Sequence, residues 1–112
     1  MGIELTWDAD SKNVIRYDFP VQWGWHDFLN GFEHSLEMAQ TLHGARYDVI
    51  GNLLESPHLP PGSGITHVFG VFRRTLPNCG ITIVVTRSAF IRALMEVLFK
   101  VHPETRRAFA LA

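Results

Sequence analysis

Arg46-Tyr47-Asp48-Val49-Ile50-Gly51-Asn52-Leu53-Leu54, then Pro57, Pro60, Pro61 and Gly62, then Ile65, Val68, Phe69 and Phe72, is the stretch whose reading decides the fold. The first nine residues read as a buried strand, and the three prolines with Gly62 forbid its continuation. The four apolar residues that follow recur at the spacing of one helix face, predicting a helix from about Ser63 to Thr75 that stops before Pro77. A strand, a Pro/Gly turn and an amphipathic helix in succession are one unit of an α/β domain.

Outward from this unit the pattern repeats. Ile3, Leu5 and Trp7 alternate with Glu4 and Thr6, and Ile15, Tyr17 and Phe19 alternate with Arg16 and Asp18. Between them lies the polar cluster Asp8–Asn13, so the pair predicts an opening β-hairpin. Gly24 caps a first helix, with Asp27 placing negative charge in its first turn. Phe28, Leu29, Phe32, Leu36, Ala39 and Leu42 line one face of that helix, and Gly44 ends it. After a turn at Asn78-Cys79-Gly80, the apolar run Ile81–Val85 shows no clear alternation, which predicts a parallel strand covered on both faces. Ser88 caps a third helix with the stripe Phe90, Ile91, Leu94, Met95, Leu98 and Phe99, ended by His102-Pro103, and Arg107–Leu111 reads as a last strand. The expected order is β-β-α-β-α-β-α-β in a mixed, mostly parallel sheet covered by helices, as one domain over residues 1–112.

Bulk properties narrow the function classes. Of 112 residues 46% are hydrophobic and 19% charged, the composition of a folded chain with one apolar core. A net charge of −1 argues against a broad nucleic-acid footprint. The single Cys79 leaves no internal disulfide, and a reducing, cytoplasmic setting is the simplest inference. No apolar run approaches the length needed to span a bilayer, and the N-terminal residues lack a signal-peptide layout.

The order of elements resembles the STAS fold of the anti-sigma factor antagonists (SpoIIAA-like proteins). The segment Phe19-Pro20-Val21-Gln22-Trp23-Gly24-Trp25-His26-Asp27-Phe28 is similar to the aromatic helix entrance of a divergent bacterial branch of these small domains. In the regulatory members a serine in Asp-x-Ser-Gly at a helix N-terminus is phosphorylated by a partner kinase. Here the place reads Pro61-Gly62-Ser63-Gly64: Ser63 and Gly64 match, while Pro61 stands where the aspartate would be. The resemblance implies a non-enzymatic regulatory domain that binds a protein partner, with Ser63 as the candidate phosphorylation site. A phosphate there would meet free backbone N–H groups and the positive end of the helix dipole. The same groups make Ser63 an ordinary helix cap.

Around Ser63, the residues with a candidate role on a partner or ligand surface are Gly64, His67, Trp23, Trp25, Arg73 and Arg74. His67 lies one helical turn after Ser63, and Arg73-Arg74 close the same helix, where cations suit the dipole. The six histidines show no metal-ligand spacing, so no metal or other cofactor is expected. No nucleophile sits beside a histidine and an acid in a recognisable pattern, and Pro60–Gly64 lacks the lysine of a phosphate-binding loop, so no catalytic residue is assigned. Eight phenylalanines motivate a second reading, a small-molecule or lipid-binding module. A cavity ringed by Phe72, Phe90 and Leu94 would favour it, whereas a filled helix–sheet interface would favour the interaction domain. Edge strands and exposed helix faces also make a homodimer a candidate assembly.

Overall fold

The computed structural model describes residues 2–8, 13–62, 64–74 and 76–112, with the side chains of Gly64, Ile65, Phe69, Phe72 and Arg73 excepted. The elements follow in the order β1 (Glu4–Trp7), β2 (Val14–Asp18), α1 (Trp25–Gln40), β3 (Tyr47–Asn52), α2 (Gly64–Arg74), β4 (Cys79–Val85), α3 (Ala89–Val101), a short 3-10 helix (Pro103–Arg107) and β5 (Phe109–Leu111). This is the β-β-α-β-α-β-α-β order expected, in a single α/β domain. Ser63, Thr75 and most of the Asp8–Asn13 turn lie outside the described residues.

The five strands lie side by side in chain order, β1-β2-β3-β4-β5. The β1–β2 pair is antiparallel and the three remaining pairs are parallel. Each parallel pair is joined by one helix, and each crossover advances one strand in the same direction. Crossovers of this kind are right-handed, so α1, α2 and α3 pack on one face of the sheet. The residues that meet them are Ile15, Tyr17 and Phe19 from the β2 segment, alternate residues Tyr47, Val49 and Gly51 from β3 with Leu53 just after it, and Val84 from β4. The expectation that β4 is covered on both faces is therefore corrected: every residue of β4 is partly exposed. Its apolar run reflects close flanking by β3 and β5 rather than a second layer of helices. On the opposite face, Arg16 Nε donates to Asp18 Oδ1 at 2.9 Å, and Asn52 Nδ2 donates to the same oxygen at 2.8 Å, tying β2 to β3.

Local differences from the sequence pattern have local causes. Cys79 and Gly80 belong to β4 rather than to a turn, because the chain enters the sheet through a bulge: Tyr47 faces Cys79, but Val49 faces Thr82. Asp48 Oδ1 bridges the irregularity by accepting from Ile81 N at 2.9 Å and from Arg46 Nη2 at 3.1 Å. The stripe assigned to α3 splits. Ile91, Met95, Leu98 and Phe99 are buried, while Phe90 is 66% exposed because it stands on the outer side of the helix's first turn. Arg107 belongs to the 3-10 helix instead of the last strand, which begins at Phe109. α1 ends at Gln40, and the chain leaves it through His43 and Gly44, with φ of 52° and 88°. Ser88 caps α3 as expected, its hydroxyl accepting from Ile91 N at 3.2 Å.

An apolar cavity between helices and sheet

Where three helices share one face of a sheet, their side chains have to fill the space between ridges and pleat. Here they leave a cavity of about 150 Å³. Phe28 and Phe32 of α1, Val68 and Val71 of α2, and Leu94 and Met95 of α3 form its roof. Tyr17, Val49, Gly51, Val84 and Phe109 lie on its sheet side. Leu94 is thus the member of the expected ring that contributes among the described side chains. Phe90 points elsewhere, and the Phe72 side chain lies outside the described residues.

Gly51 helps to explain the space. It sits inside β3 on the helix-facing side, with no positive φ that would require glycine. A Cβ placed on it would stand 3.9 Å from the Ile83 carbonyl oxygen and 4.0 Å from Phe19 Cε1, ordinary contact distances. The strand therefore leaves room for a side chain it does not carry. Glycine inside a strand weakens it and commonly marks close approach by a ligand or another backbone.

The polar atoms around the cavity are occupied with one another. Tyr17 Oη donates to Ser35 Oγ at 2.6 Å, and Ser35 Oγ donates to the Phe32 carbonyl at 2.7 Å. Burial holds the Tyr17 phenol up at about 12, with the Ser35 bond only partly opposing it. Burial likewise raises Tyr47 and Cys79. A thiol pushed up by desolvation remains protonated at neutral pH, so Cys79 is not an activated nucleophile. No buried side-chain nitrogen or oxygen lacks a partner among the described residues.

One end of the cavity is closed by the aromatic segment singled out in the sequence. Trp23 Nε1 donates to the buried Ser56 hydroxyl at 2.7 Å, and Trp25 Nε1 donates to the Pro60 carbonyl at 3.3 Å. The two indole rings meet edge-on at 5.1 Å. Trp25 also stacks on His67 of α2, again at 5.1 Å. Trp23, Trp25 and His67 are thereby brought together against the β3–α2 loop, next to Gly64 at the start of α2. Arg74 behaves differently. It pairs with Glu33 of α1, and its guanidinium lies 5.4 Å from the Phe32 ring centroid, so it joins two helices rather than offering a free cation. The Ser63 candidate and the Arg73 side chain lie outside the described residues.

Among the described residues no three His, Cys, Asp or Glu side chains gather in a way that would hold a metal ion. No helix there is long and apolar enough to cross a membrane. Tyr17, Ser35, Tyr47 and Gly51 were not singled out in the sequence as site residues. Gly51 carried the one usable signal, a glycine in the middle of an apolar strand. Compared with protein-family models, curated proteins and solved structures, the chain matches none.

Proposed function

We propose that this chain is a non-enzymatic binding module that takes an apolar small molecule into the cavity between its helices and its sheet. The observation that carries this reading is the cavity itself, about 150 Å³ of apolar-lined space in a domain of 112 residues. Interiors are normally packed to crystal-like density, and an apolar cleft reaching between helices and sheet is the usual form of a small-molecule site. Native mass spectrometry of the protein isolated from its own cells tests the reading. An adduct that leaves on denaturation, together with a thermal shift when it is restored, is the expected result. A protein that purifies empty and is not stabilised by any apolar compound would refute it.

The regulatory reading that follows from the STAS resemblance is kept as a second proposal. It is supported by the start of α2 at Gly64, a helix N-terminus close to the Trp25–His67 stack. In that proposal a kinase modifies Ser63 and changes the affinity for a protein partner. Equal partner binding by Ser63→Ala and Ser63→Glu would dispose of it.

A further inference from the structure

We infer that the occupant of the cavity is a neutral, single-ring apolar molecule of about five to eight carbon atoms, seated over Gly51. The inference rests on the ligand-binding reading above and narrows it on three independent grounds: volume, charge and floor shape.

Volume sets the size. Cavities of about 150 Å³ lined by leucine, isoleucine and phenylalanine stay dry and take up molecules such as benzene or xenon. A sixteen-carbon acyl chain carries more than twice the carbon atoms of benzene, more than a space of this size encloses. A long-chain lipid would leave much of its chain outside this space, whereas a ring is contained by it.

Charge sets the class. Among the described residues no Lys, Arg, His, Asp or Glu side chain lines this space. The Ser35 hydroxyl already accepts from Tyr17 and donates to Phe32. A carboxylate or ammonium would therefore be stripped of water without an ionic partner, a penalty that an apolar ring escapes.

The floor sets the position. Gly51 exposes its peptide plane where Val49 and Leu53, two residues to either side on the same face, carry branched chains. Phe19 Cε1 lies 4.0 Å from where a Cβ on Gly51 would stand, and its ring stacks on Phe28 with centroids 6.3 Å apart. A flat molecule lying over the Gly51 peptide would meet aromatic edges and faces at ordinary separations. Gly51 is on this account the residue that determines specificity: any side chain there occupies the ligand's seat.

The test is a titration of the full chain with toluene, benzoate and palmitate, followed by the emission of Trp23 and Trp25, which border the cavity, and by methyl NMR shifts. Toluene should saturate at one molecule per chain and raise Tm, while benzoate and palmitate should do neither. Gly51→Val should weaken toluene by at least about tenfold and Gly51→Ala by less, with both variants folded. Should Gly51→Val fail to fold, the Gly51→Ala affinity and thermal shift alone decide the point. Palmitate or benzoate binding in preference to toluene would overturn the ligand class and leave the binding module standing. Failure of all three, with no methyl shift under xenon pressure, would overturn both. Unchanged toluene affinity in a folded Gly51 variant would overturn the assigned seat.

Discussion

Replacing Gly51 by alanine should make the ligand-free protein more stable, contrary to the usual result of altering a residue in a central strand. The backbone there has no positive φ, and the added Cβ meets its nearest neighbours at 3.9 and 4.0 Å, so no clash opposes it. Two gains then add. Removing a glycine from the unfolded chain contributes roughly 0.4–1 kcal/mol. Filling about 25 Å³ of the cavity contributes about 0.6 kcal/mol, at about 24 cal/mol per Å³. The sum is about 1–1.5 kcal/mol, and for a domain of this size it corresponds to a rise in Tm of about 4–6 °C. Urea denaturation of both proteins without ligand measures it directly: the midpoint should move up while the slope stays the same. A midpoint that falls at constant slope would show that the space over Gly51 is already filled, and the argument for a seat there would collapse. A stabilised variant that still binds toluene as before would separate the two roles, leaving the void real but the seat elsewhere.

Other perturbations test the parts around the cavity. Ser56→Ala should cost about 1–3 kcal/mol in denaturant titration, because it removes the acceptor of the Trp23 indole N–H at a fully buried position. Gly80→Ala should destabilise the β3–β4 bulge by about 1 kcal/mol or more, since a Cβ there would overlap the Asp48 carboxylate and displace it from Ile81 N; equal midpoints for variant and parent would refute that. Stability should fall in alkali. Tyr17 keeps its proton in the folded state up to about 12, whereas the unfolded phenol loses it near 10. Its contribution is thus complete below about pH 10 and is lost as pH rises toward 12, at about 1.4 kcal/mol per pH unit. Circular dichroism melts from pH 8 to 12 should show this slope, and Tyr17→Phe should flatten it.

The succession of elements was legible in the residues because each is written in a local period. Alternation in Ile3–Trp7 and Ile15–Phe19 is a strand period, and the spacing of Ile91, Met95, Leu98 and Phe99 is a helix period. Caps were legible for the same reason: Ser88 satisfies N–H groups within three residues of itself. The aromatic cluster was half legible. Trp23 and Trp25 stood out as more than a turn needs, but Ser56 and Pro60, which accept from their indoles, are 33 and 35 residues away. Arg74 read as a candidate on a partner surface because nothing local marks Glu33, its partner on another helix.

The sequence by itself determined which segments are strands and helices, where most of them begin and end, and that four strands are joined by helical crossovers. Those are short-range matters, settled by propensity, periodicity and turn chemistry within a few residues. Only the tertiary structure decided the rest. The strict chain order of the strands puts all three helices on one face and leaves β4 without a second layer. The same packing turns Phe90 outward, draws Cys79 into the sheet, and leaves an apolar cavity bordered by Gly51 that no single helix or strand encodes. A cavity is the difference between the volume that three helices and a sheet enclose and the volume that their side chains occupy. That difference exists only once segments far apart in the chain have been brought together.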